Sequence, residues 1–102
     1  MTLAVARSDA RKTLAGALGR VFNRGHSYKP SCSRVSSTRF SCSFRLSSGP
    51  NDYYGTVVVY YTSGSGGKTY WSDNYTVHWV SASCLHAGRR SRCKIHTKRG
   101  TW

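Results

Sequence analysis

The final residues of the chain, CLHAGRRSRCKIHTKRGTW, hold most of the side chains whose type and spacing could do chemistry. Cys84, His86, Cys93 and His96 stand as C-x-H-x6-C-x2-H, thiolates and imidazoles that zinc accepts in a tetrahedral array. Structural zinc sites usually put about two to four residues between their first two ligands, and a single intervening residue strains a shared metal. The spacing therefore favours the other use of the same thiols, a Cys84–Cys93 disulfide closing the loop LHAGRRSR. Around it run Arg89, Arg90, Arg92, Lys94, Lys98 and Arg99, six cations in eleven residues, followed by Trp102. That set reads as a polyanion-binding segment with an aromatic ring for stacking, and six phosphate contacts would give a log–log salt slope of about −5 on duplex DNA.

Catalytic readings are weaker. A metal-free nuclease needs a general base, a general acid and a cation for the phosphate, and His78, His86 or His96 with Lys or Arg neighbours are the residues available. Their spacing does not put them on a common site. The acids are Asp9, Asp52 and Asp73, with no Glu, and their separation offers no close pair for hydrolysis by paired carboxylates. SGSGG lacks the Lys and the helix of a phosphate-binding loop. No cofactor is expected.

Which elements carry these residues follows from periodicity. From Ser8, the residues Ala10, Leu14, Ala17, Leu18, Val21 and Phe22 recur at spacings of three and four, an amphipathic helix over residues 8–23. Ser8 or Asp9 is its expected cap and Gly25 its left-handed stop. Then the period changes to two. In FSCSFRLS, Phe40, Cys42, Phe44 and Leu46 alternate with Ser41, Ser43, Arg45 and Ser47. YGTVVVYYT reads as a central strand and YWSDNYTVHWV as the next, with SSGPND and SGSGG as loops. The expected fold is α+β: an N-terminal amphipathic helix packed on an antiparallel meander of three to four strands, followed by a basic loop and tail. Within one domain, residues 1–25 hold the helix, 26–84 the disulfide-stapled meander and 85–102 the loop and tail.

KPSCSRVSSTRFSCSF predicts a hairpin. With Ser36-Ser37-Thr38 as its loop, Val35 faces Arg39, Arg34 faces Phe40, Ser33 faces Ser41 and Cys32 faces Cys42. Opposed residues of a non-hydrogen-bonded antiparallel pair have Cα atoms about 4.5 Å apart, within the range a disulfide accepts. Cys32–Cys42 is the pairing this register favours, which leaves Cys84 for Cys93; four cysteines still allow three connectivities.

The chain has 102 residues, 16 Lys and Arg against three acids, a formal net charge of +13, and 13% aromatic residues. Such a charge draws a protein to polyanions, and no run is long enough to span a membrane. An even cysteine count in a short chain leans toward an oxidising compartment. A helix ending in ALGRVF, then CSRVSSTRFSCSF, YYGTVVVY and YTVHWV, over roughly residues 10–80, resembles small basic domains of exported actinobacterial proteins. The resemblance implies a helix plus meander, a Cys32–Cys42 bridge and export, and implies no activity. The expected function is a secreted or cell-surface, non-catalytic, monomeric module that binds an anionic polymer, whether nucleic acid, a cell-wall polyanion or lipid headgroups. The alternatives are a cytoplasmic zinc-containing nucleic-acid binder and a small nuclease toxin.

Overall fold

The computed structural model describes residues 2–63, 66, 69–86 and 93–102. Helix α1 spans Leu3–Leu18 and a short α2 spans Arg20–Arg24. This corrects the expected helix at both ends. Its start moves back because Thr2 is the cap, its Oγ1 accepting from the Val5 N–H at 3.2 Å. Ser8 and Asp9 are then interior residues, and the apolar stripe extends to the fully buried Ala6. Gly19, with φ 57°, breaks the helix and returns its N–H to the Ala15 carbonyl at 2.9 Å. The left-handed residue is thus Gly19; Gly25 has an ordinary φ of −72°.

Five strands follow as an antiparallel meander in the order β1 (His26–Ser36), β2 (Arg39–Ser48), β3 (Asn51–Ser63), β4 (Thr69–Ser81) and β5 (His96–Thr101), with α3 (Ala82–His86) between the last two. The α+β class is as expected, with a higher strand count. The additional strand, β5, lies in the segment read as tail. HTKRGT has no apolar alternation because an exposed edge strand buries almost nothing, so periodicity could not mark it. Its ladder continues to Trp102, whose N–H and C=O bond Asp73 at 2.8 and 3.1 Å.

Cys32 lies opposite Cys42 and the two are bonded, with Cα atoms 4.0 Å apart. The turn above them is tighter than expected: Ser36, not Val35, pairs with Arg39, so Val35 is left as a bulge while the register below is kept. Between β2 and β3 the turn is Gly49-Pro50, with Gly49 at φ 56°, the glycine-first pattern of a type II′ hairpin.

Alternation gives each strand one face toward the helices. Phe40, Cys42, Phe44 and Leu46 of β2, Tyr53, Val57 and Val59 of β3, and Tyr75 and Val77 of β4 close on Ala6, Ala10, Leu14 and Phe22. Their neighbours in the other phase form the opposite face. Among the described residues that face is covered only at one end, where Leu85 and Ile95 lie around the buried Val80.

Candidate functional site

On the uncovered face the register builds a transverse row: Lys29 opposite Arg45, Arg45 opposite Tyr54, Tyr54 opposite His78, and His78 opposite Thr97. The Tyr54 and His78 rings lie 5.2 Å apart at 33°, and His78 Nδ1 is 2.8 Å from Thr97 Oγ1. A second row sets Arg99 opposite Thr76, and a third sets Arg39 opposite Tyr60, with the guanidinium 6.0 Å from the ring. Arginine over a tyrosine face is itself a favourable contact, and it holds the cation extended along the sheet.

At the first row the surface opens into a cavity of about 570 Å³. Lys29, Arg45, Asp52 and Tyr54 of the sheet line it together with Leu85, Cys93 and Ile95, which lie in sequence between β4 and β5. Asp52 Oδ1 accepts from Ser47 Oγ at 3.1 Å. Ser27, on the rim, has φ 59°, at the point where the β1 register shifts between His26 and Lys29. A left-handed serine is uncommon backbone, and here it accompanies the shift that sets Lys29 opposite Arg45.

The remaining acids are elsewhere. Asp73 is 2% exposed, and Thr13 Oγ1 donates to its Oδ2. Burial pushes the Asp73 carboxyl up to about 7; a hydrogen bond with the Asp9 carboxyl pushes the same way, and the Thr13 donation opposes both. Asp9 and Asp73 are therefore a close carboxyl pair, which corrects the expectation of three scattered acids. The pair joins α1 to β4 beneath the helix. With Asp73 buried and Asp9 half-buried on α1, Asp52 is the one acid left for the open face.

The residues expected to bind polyanions divide. Arg89, Arg90 and Arg92 lie outside the described residues. Lys94 is exposed ahead of β5. Lys98 points to the helical side, where its Nζ donates to the Ala17 carbonyl at 2.9 Å and satisfies the last turn of α1. Arg99, next in sequence, points to the open face. Trp102 is 62% exposed, yet its ring lies over Gly16, where a Cβ would come within 2.4 Å of it. That close approach gives Gly16 a reason to sit inside a helix.

Cys84 and Cys93 form the second disulfide, with Cα atoms 5.9 Å apart. Both thiolates that zinc would require are in that bond, and His96 stacks on Trp79 at 5.3 Å, which corrects the alternative ligand set Cys84, His86, Cys93 and His96. His78 and His96 are on opposite faces of the sheet, paired with Thr97 and Trp79 respectively. No protein family, curated protein or solved structure matches the chain.

Lys29, Arg39, Arg45 and Tyr54 were not singled out from the sequence as binding residues. A signal was present: in RFSCSFRLSS, Arg39 and Arg45 fall in the polar phase of an alternating strand, and that phase must face away from the core.

Proposed function

We propose that this protein is a small exported, non-catalytic module that binds an anionic polymer or surface through the uncovered sheet face. The observation that carries the reading is the partition of charge. Lys29, Arg39, Arg45 and Arg99 share that face with Asp52 alone, while Asp9 and Asp73 lie on the helical side of the sheet. Cations that outnumber the acids of a face attract polyanions over a Debye length and release counterions on binding. Cys93 and Leu85, which bracket the basic segment in the sequence, line the cavity on this face.

Two disulfides are compatible with an extracellular setting. Among the described residues no helix is long and apolar enough to cross a membrane. Both sheet edges carry the features that blunt edge-to-edge pairing, Lys29 and Pro30 on β1 and Lys98 and Arg99 on β5, which favours a monomer. The exported actinobacterial setting implied by the resemblance over residues 10–80 is part of the same proposal.

Binding to a labelled anionic polymer, titrated against salt, tests this. Each phosphate-binding cation removed should reduce the log–log slope by about 0.7–0.9, so Lys29→Ala/Arg45→Ala should flatten it by roughly 1.5. Arg24→Ala, at the end of α2, should leave it unchanged. Equal losses from both variants would place binding in net charge rather than on this face.

A further inference from the structure

We infer that the cavity beside Tyr54 seats a guanine base of a single-stranded nucleic acid, with Asp52 accepting from the base and Lys29 and Arg45 holding adjacent phosphates. This rests on the polyanion-binding reading and names its ligand. Lys29 and Arg45 are direct cross-strand partners, an arrangement that like charges disfavour in the free protein. Phosphates bound to them relieve that repulsion.

Phosphate alone does not account for the rest of the cavity. A receptor for bare polyanion gains nothing from a carboxylate beside its cations, and Asp52 would repel a phosphate there. A carboxylate is, however, an acceptor with about four lone-pair sites, and Ser47 uses only one oxygen, Oδ1. Guanine offers two adjacent donors, N1–H and N2–H, on its Watson–Crick edge, which two carboxylate oxygens can take together. Adenine offers an acceptor beside its amino group, and thymine flanks its single N–H with carbonyls. Asp52 thus turns a basic groove into a selective one.

The cavity also has the shape for a base. Its volume of about 570 Å³ is within the range of small-molecule sites, and Leu85 and Ile95 supply apolar wall. Tyr54 is 37% exposed and is backed by His78, itself bonded to Thr97, so its ring is a stiff stacking platform. In a duplex the Watson–Crick edge is already paired, so this cavity reads an unpaired strand. A lipid surface would press anionic headgroups onto Asp52, which disfavours it as the occupant.

The test is fluorescence anisotropy with 5′-labelled octanucleotides, a thymidine octamer and the same strand with one central guanine, adenine or cytosine. The guanine strand should bind about tenfold tighter than the thymidine octamer, the scale of one good bidentate base contact. Asp52→Asn should abolish that preference without weakening the thymidine octamer. Ser47→Ala, which removes only the bond to Asp52, should keep it. Tyr54→Leu should weaken every single strand and leave a duplex of the same length unaffected. Equal affinity for all four strands, the duplex and inorganic polyphosphate, with one salt slope, would overturn the base site while leaving the polyanion module standing. Preference for phosphatidylglycerol vesicles over every oligonucleotide would make a membrane surface the occupant and also overturn it. Binding to none of these polyanions would remove both readings.

Discussion

Asp73 is buried where α1 lies on β4, with Asp9 as its acidic neighbour, and both burial and that neighbour favour its protonated form. Asp73 stands at about 7 in the fold against an ordinary 3.8, so the folded state holds a proton that the unfolded chain has already lost. Because the folded state binds more protons across that window, stability falls as pH rises from about 4 to about 7 and levels off outside it. Thr13 faces the pair from α1, Lys12 shares a surface cavity with Asp9, and Trp102 pairs with the Asp73 backbone. Urea midpoints of the parent and of Asp73→Asn, measured from pH 4 to pH 8, should show a decline in the parent that the variant lacks. A decline of the same size in both would show that other groups cause it.

At the scale of elements, the meander depends on close backbone approach at the middle of β3. Gly55, at φ 156°, lies between Phe44 and Val77, and a Cβ there would come 2.0 Å from the Thr76 carbonyl oxygen. A carbonyl held in a ladder cannot give way as a side-chain tip can. Gly55→Ala should therefore cost about 3 kcal/mol by overpacking, whereas Gly49→Ala, with open space around it, should cost about 1 kcal/mol for its left-handed backbone. Chemical denaturation of the two variants separates steric crowding from turn strain. The long β3–β4 hairpin extends beyond β2, whose pairing with β3 ends at Tyr60, and carries Tyr70 and the Tyr61–Trp71 edge-to-face pair past the core.

The whole molecule measures 55 × 25 × 21 Å with a radius of gyration of 15.2 Å, above the roughly 13 Å of a compact domain this size. An elongated sheet with helices on one face leaves a broad open face, and the disulfides serve its two parts differently. Cys42 is 2% exposed in the core, so Cys32→Ser/Cys42→Ser should lower global stability by about 2–3 kcal/mol, the entropy of a short closed loop. The Cys84–Cys93 bond lies outside the sheet at the cavity wall. Cys84→Ser/Cys93→Ser should cost less stability and weaken polyanion binding more. Urea unfolding paired with anisotropy on both double variants would distinguish the two roles.

By itself the sequence determined what local pattern controls. A period of two in RFSCSFRLSS selects a half-buried strand, and a short hairpin places Cys32 against Cys42, because strand pairing counts residues outward from a turn. Composition determined the net charge, and so the class of partner favoured here. The sequence did not contain, in readable form, which distant residues share a surface. Asp9 meets Asp73 only because α1 crosses β4, and Lys29, Arg45, Tyr54 and His78 align only because four strands adopt one register. β5 was hidden because an exposed edge strand needs no apolar alternation. Tertiary structure decided these points because long-range packing, which no short window of residues encodes, brings the separated groups together.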